Sequence, residues 1–360
     1  MTDAASIQRA LDAAVDDGLT PGAAAAVVYA DGRVVGVCSG TLNADDPEPS
    51  GGRDARRLVT TSTVYDLASL TKLIVTTVLV ADDVAAGVID LNETPWSWWP
   101  GVTVAHALRH DSGLPAHRPF FETLRRPREH GFMLGRRAGK ALVVDAVLRT
   151  ACEAPPGERT LYSDLGFIAL GALLEDRHGA SLDALWAAHP LSAGTSARFV
   201  DLEVEGYHSC TPLVAPTERC AWRKRIVQGQ VHDDNAFAMG GVAGHAGLFA
   251  SLDDVVTIAA RLLRRLQDRG DVLSQFAAQA TVRALGFDVV TPGGSTGDAL
   301  SPSSVGHLGF TGTSIWFDVD VGAVYVLLSN TVHFGRDGVI ARNKALRVAF
   351  HRAAVAVTAS

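Results

Sequence analysis

The most strand-like stretches of this 360-residue chain lie at its two ends, and that separation limits what it can fold into. AAAAVVY (23–29) and RVVGVCSG (33–40) flank Asp31-Gly32, a strong short-range hairpin signal. HLGFTGTSIWFDV (307–319) and GAVYVLLSN (322–330) read as strands around a turn at Asp320–Gly322. Between them the patterns are mostly helical, as in ALVVDAVLRTACE, DLGFIALGALLEDRHG and SLDDVVTIAARLLRRLQDRG. The simplest packing joins the end strands in one antiparallel sheet. Helices at 5–18 (Ile7, Leu11 and Val15 at helical spacing) and at 338–357 would cover it. The expected class is therefore α/β (α+β). Residues 1–65 plus 288–360 form the sheet with its flanking helices. Residues 66–287 form an inserted, mainly helical lobe, and the whole is one catalytic unit. Residues 41–60, polar and rich in Gly, Pro, Asp and Arg, read as a surface loop.

A net charge of −7 gives no bulk attraction to nucleic acid or to anionic membranes. The N-terminus, MTDAASIQRALDAAVDDG, has neither the basic nor the apolar region of a signal peptide. No run approaches the roughly 20 apolar residues that span a bilayer. The chain reads as cytoplasmic, with a small-molecule partner, no nucleic acid and no membrane. Cys38, Cys152, Cys210 and Cys220 are irregularly spaced and read as buried or free thiols, a Cys210–Cys220 bridge being the alternative.

Only four lysines occur, and one of them, Lys72, follows Ser69 by three positions in DLASLTKLI. Leu70–Ala86 is apolar nearly all round, which reads as a buried helix ended by Gly87. Ser69 then stands at a positive helix N-terminus, with Lys72 one turn on and on the same face. Burial of Lys72 would disfavour its ammonium, and a neutral lysine can take the serine proton. The alternative is an N-cap serine beside a solvated lysine. A Ser–Lys nucleophile also needs a proton route to the leaving group and donors for the oxyanion. Tyr162, in PPGERTLYSDLGF, is a phenol able to relay protons. In GHLGFTGTS, a glycine on an edge strand would let a substrate backbone come close, and the Phe310 N–H could pair with that of Ser69.

Taken in order, S-x-x-K, Y-x-D and H-x-G resemble the motifs of the serine β-lactamase and penicillin-binding family. The nearest likeness is to its class C β-lactamase-like branch, which includes esterases and D-amino-acid peptidases. VTVAHALRHDSGLP, with His110, Ser112 and Gly113, and GQVHDDNAFAMGGVAGHAGLFAS extend the likeness along most of the chain. The resemblance implies an antiparallel sheet with an inserted helical lobe and a site between them. It implies Ser69 as the acylated nucleophile, Lys72 as its base and Tyr162 as partner acid/base. The amides of Ser69 and Phe310 would form the oxyanion hole. Asp164, His307, Leu308 and Gly309 would bind substrate, with no metal and no cofactor.

Three positions depart from the family pattern. Asp164 replaces an asparagine, so it accepts hydrogen bonds but cannot donate one to a penicillin's acylamide carbonyl. It can instead pair with Lys72, which favours the charged lysine. His307 turns a fixed charge into a titratable one. Leu308 replaces a hydroxyl. A hydrolase of esters or small amides is expected. The alternatives are a β-lactamase or D-alanyl-D-alanine carboxypeptidase, and a non-catalytic binding protein on the same fold.

Other clusters read as structure. His232-Asp233-Asp234-Asn235, with His208 and His245, matches no common metal spacing and reads as a brace for the site's rim. GGVAGHAG (240–247) reads as tight turns rather than a phosphate cradle. Trp96, Trp98 and Trp99 read as packing over the helical lobe, and the Arg-rich run at 118–137 reads as a flap or a solvated loop.

Overall fold

The computed structural model describes residues 3–43, 58–125, 133–206, 213–278 and 283–358. Most of the 41–60 loop, part of the Arg-rich run (126–132), His208 and Cys210 lie outside the described residues. The strands in chain order are β1 (Gly22–Tyr29), β2 (Val34–Gly40), β3 (Val64–Asp66), β4 (Arg198–Phe199), β5 (Arg219–Cys220), β6 (Arg225–Ile226), β7 (Leu248–Ser251), β8 (Asp288–Val289), β9 (Val305–Leu308), β10 (Ser314–Asp318) and β11 (Ala323–Ser329). The main sheet runs β2-β1-β11-β10-β9-β8, every neighbour antiparallel. The two ends of the chain do meet: Ala26 of β1 faces Val326 of β11.

β1 reads as a continuous apolar run because it is buried on both faces. Ala23, Ala25 and Val27 pack with Ile7 and Leu11 of the helix Asp3–Asp16 and with Leu346 and Phe350 of the helix Val339–Thr358. Ala24, Ala26 and Val28 face the other way, into the core shared with the helical lobe. Four consecutive alanines let helices approach both faces of this strand. The helix Leu252–Gln267, which lies within the 66–287 stretch, packs on β1 and β11.

The hairpin forms at Asp31-Gly32 with three loop residues rather than two. Gly32 N–H donates to the Tyr29 carbonyl (3.0 Å), and Gly32 adopts φ +89°, a left-handed turn that glycine takes at no steric cost. Two expectations need correction at the other end. HLGFTGTSIWFDV is not one strand: Gly309–Thr313 turns the chain between β9 and β10, closed by Gly309 N–H donating to the Thr313 carbonyl (2.8 Å). Nor is β9 the edge, since β8 pairs with Val305 and Gly306. Its His307–Leu308 end extends beyond that pairing, toward the lobe.

The Leu70–Ala86 helix exists and is buried along nearly its whole first half, but it is not α-helical throughout. After Leu70 and Thr71, Lys72–Thr77 is wound as a π-helix, and Val78–Ala85 is α-helical before Gly87 (φ +71°) ends it. π-Turns of this kind concentrate at functional sites. Trp96 and Trp99 are buried against each other (5.4 Å between rings), while Trp98 is 56% exposed beneath Arg149, away from the site. No helix of the described residues is long and apolar enough to cross a membrane. Cys38, Cys152 and Cys220 are free thiols.

Candidate active site

The turn that carries Ser69 lies between β3 and the π-wound helix. Ala68 sits in the left-handed region (φ +48°), and the chain then rises into Ser69 through tight turns in which Lys72 N–H donates to the Ser69 carbonyl (3.0 Å). Thr71 closes the turn from below, its hydroxyl donating to the Ala68 carbonyl (2.7 Å) and accepting from Leu248 N–H (3.1 Å).

Lys72 is completely buried, and its Nζ donates three ways: to Ser69 Oγ (2.9 Å), to the His245 carbonyl (3.0 Å) and to Asp164 Oδ1 (2.9 Å). The ammonium also lies 5.0 Å from the centre of the Tyr162 ring. Lys72 and Ser69 lie near enough to the Tyr162 hydroxyl that both favour its ionised form, against burial. Sequence reading expected burial to depress Lys72. Burial does act in that direction and is the largest single influence, but Asp164, with Tyr162, outweighs it and holds Lys72 above the ordinary lysine range. For Asp164, burial favours the neutral acid, yet Lys72 and then His117 hold its carboxyl well below the usual carboxylate range. The resting pair is thus ammonium and carboxylate. Burial is also the main influence on Tyr162 and raises it, so the phenol is protonated.

Tyr162 is held from behind. The His110 ring packs on it (4.5 Å), and His110 Nδ1 accepts from Ser163 N–H (3.0 Å), so His110 is neutral at that nitrogen. Ser163 caps the helix Asp164–His178, which fixes Asp164 in its first turn. Gly113 is needed close by: a Cβ there would fall 1.9 Å from the Ala154 carbonyl oxygen, and φ is +80°. The 240–247 segment makes tight turns, as its sequence indicates, with Gly240, Gly241 and Gly247 all at positive φ. Its chemical product is the His245 carbonyl, delivered to Lys72.

On the sheet side, the N–H groups of Ser69 and Phe310 have no hydrogen-bond partner among the described residues. Both residues line one cleft of about 580 Å³, together with Tyr162, Asp164, Leu308 and Gly309. Phe310 is held by Asn343, whose Nδ2 donates to its carbonyl (2.9 Å), and Arg347 donates to the Gly309 carbonyl (2.6 Å). Gly309 itself is explained by the fold. A Cβ there would fall 2.0 Å from Thr313 Oγ1 and 2.7 Å from the Leu67 carbonyl oxygen, so close packing of the turn, not substrate approach, excludes a side chain.

His307 differs most from expectation. It is buried behind the cleft wall, 6.0 Å from the Tyr162 ring, and its Nδ1 lies 2.9 Å from the Leu308 carbonyl. Burial pushes it down to about 4, so it brings no positive charge to the site at neutral pH. His351, a buried residue of the closing helix, is likewise at about 4 through burial. Both values lie below the ordinary 6.5 of an unfolded histidine. Below 6.5 the unfolded chain therefore binds protons that the folded chain refuses, and stability falls with pH from about 6.5 toward about 4. The expected loss at about pH 5 is on the order of 2 kcal/mol per histidine. Thermal melts of wild type and His351→Gln between pH 7 and 5 check this: the variant should show a distinctly shallower decline, and parallel declines would refute it.

The 232–235 cluster is tied up in bracing contacts along the rim. His245 Nε2 lies 2.8 Å from Asp233 Oδ1; Asp234 receives Arg223 (2.8 Å), Arg336 (3.0 Å) and Trp222; Asn235 accepts from Phe121 N–H (3.0 Å). Sequence reading gave no part to His117, whose Nδ1 lies 3.4 Å from Asp164 Oδ2, to Arg347 or to Asp66. Only Asp66 carried a local cue, as a carboxylate three residues before Ser69.

A serine bonded to a buried lysine, with a phenol and two free amides beside it in a cleft between an antiparallel sheet and a helical lobe, defines a serine-hydrolase site. The chain belongs to the β-lactamase family, whose model matches residues 7–349. A curated protein of Salmonella paratyphi A, provisionally named a D-alanyl-D-alanine carboxypeptidase, is 29% identical over 76% of this chain and 71% of its own. Two solved structures share the fold. One is the octameric penicillin-binding protein homologue from Pyrococcus abyssi (19% identity, TM-score 0.67, 94% of this chain and 76% of that one). The other is EstCE1, a hydrolase with promiscuous acyltransferase activity (21%, 0.66, 97% and 98%).

Proposed function

We propose that the protein hydrolyses carboxylic esters or small amides through an acyl-enzyme on Ser69. The observation that carries this reading is the 2.9 Å contact between Ser69 Oγ and Lys72 Nζ at the mouth of a cleft that presents two unpartnered N–H groups. Ser69 Oγ attacks the substrate carbonyl, and the amides of Ser69 and Phe310 receive the oxyanion. As the serine proton moves to Lys72, Lys72 passes one of its own to Asp164, so the site's total charge is unchanged: the neutralised Asp164 offsets the new oxyanion. Collapse of the intermediate expels the alcohol or amine, which takes the Tyr162 proton, and Tyr162 regains one from Asp164 through Lys72. Water then attacks the acyl carbonyl by the same route in reverse.

Asp164 is the specificity argument against β-lactams. Its oxygens accept from Lys72 and lie beside His117, and a carboxylate, unlike an amide, cannot donate to an acylamide carbonyl. His307 is neutral and Leu308 has no hydroxyl, which removes the usual holds on a substrate carboxylate. At pH 7–8, turnover of a short-chain p-nitrophenyl ester should exceed that of a chromogenic cephalosporin by at least ~10²-fold in kcat/KM, a difference of the size that lost polar contacts produce. Comparable rates would overturn the argument from Asp164, His307 and Leu308. The name of the Salmonella relatives favours a second reading, a D-alanyl-D-alanine carboxypeptidase. Release of D-alanine from an acyl-D-Ala-D-Ala peptide faster than ester hydrolysis would select it.

A further inference from the structure

Asp66 ends β3 three residues before the nucleophile and is 2% exposed. Among the described residues its carboxylate has no basic side chain as a hydrogen-bond partner, and both oxygens accept from backbone N–H groups. Oδ1 accepts from Ala68 (2.8 Å) and Oδ2 from His232 (2.6 Å). Burial raises its pKa, and those two bonds oppose the rise. A buried carboxylate without a cation is costly, so what it holds in place is informative. It holds Ala68 at φ +48°, a conformation that disfavours any residue with a Cβ.

We propose that Asp66 is a positioning residue: it clamps Ala68 in the left-handed conformation and so aims both the hydroxyl and the N–H of Ser69 into the cleft. The inference rests on the reading of Ser69 as nucleophile. The same short segment also anchors the other half of the oxyanion site. Thr311 Oγ1 donates to the Asp66 carbonyl (2.8 Å) and Thr313 Oγ1 to the Leu67 carbonyl (3.1 Å), so the turn carrying Phe310 hangs on the backbone that Asp66 fixes. The ring of His232, whose N–H takes the second carboxylate oxygen, stacks on Phe310 (5.6 Å between rings, 18° between planes).

Asp66→Asn is nearly isosteric but offers one acceptor and one donor where two N–H groups arrive. Freed of its clamp, Ala68 relaxes toward negative φ and Ser69 turns away. The expected result is a fall in kcat of ~10–100-fold, somewhat less than deletion of an oxyanion donor, with KM within about threefold of wild type. Rates are taken per active site, counted by titration with a fluorophosphonate. The discriminating variant is Asp66→Asn/Ala68→Gly, because glycine takes positive φ without penalty. It should recover at least about fivefold of the lost kcat, which a general loss of stability would not allow. A kcat for Asp66→Asn within threefold of wild type, or a loss that Ala68→Gly does not recover, overturns the proposal. Should Asp66→Asn alone be insoluble, a soluble and active double variant supports the proposal and an insoluble one overturns it. Ser69→Ala, run beside them, separates the two ideas: if it keeps activity, the nucleophile reading has failed, whatever Asp66 does.

Discussion

Ser69→Ala should lower kcat/KM for the p-nitrophenyl ester by at least ~10³-fold, leaving only what the oxyanion donors and substrate binding contribute. The fold should hardly notice. The substitution removes Oγ alone, and Lys72 keeps its bonds to the His245 carbonyl and to Asp164. A melting temperature within a few degrees of wild type, measured on the same preparation, excludes misfolding as the cause. Activity within tenfold of wild type would mean that another group attacks the substrate.

Lys72→Met is the second large effect, and here stability and chemistry must be separated. Methionine fills the volume, but Asp164, 18% exposed, keeps its charge without a cation, and the His245 carbonyl loses its donor. Breaking a buried pair from one side costs roughly 3 kcal/mol, whereas removing both partners costs much less. The single variant should therefore melt well below wild type, and Lys72→Met/Asp164→Asn should regain most of that loss. Catalysis should behave differently. Loss of the proton carrier should lower kcat by about 10³-fold in both variants, because neither restores an acceptor for the serine proton. A double variant that regained activity along with stability would assign Lys72 a structural part only.

Much of this was legible before any coordinates. The apolar run before the Asp31-Gly32 turn and the chemistry of that turn, together with strands at both chain ends, are enough to join the end strands in one antiparallel sheet. The convergence of Ser69, Lys72, Tyr162 and Phe310 followed from motif order, although Tyr162 and Phe310 lie far in sequence from the Ser69–Lys72 pair. What stayed hidden depends on partners that only folding brings together. The His245 carbonyl reaches Lys72 across 173 positions, and Asp66 meets His232 across 166. The direction of the Lys72 shift turns on whether burial or the Asp164 charge prevails, and that balance is set by a 2.9 Å distance. His307 looked like a titratable replacement for a lysine, and its burial, which makes it neutral, appears only once the chain is folded. Likewise, the two-residue strand β8 is too short to show a pattern, so the covered half of β9 read as an edge.

The measurement that tests the central claim most directly is intact-protein mass spectrometry after exposure to a fluorophosphonate, followed by peptide mapping. The chain offers other serines close by, Ser163 beside Tyr162 and Ser295 on the cleft wall, so the site of labelling is informative. Wild type should gain one phosphonyl group, mapped to Ser69, and lose ester hydrolysis in proportion, while Ser69→Ala should gain none. An active wild type that takes up no label, or a label mapped to another residue, would contradict the assignment of Ser69 as the nucleophile.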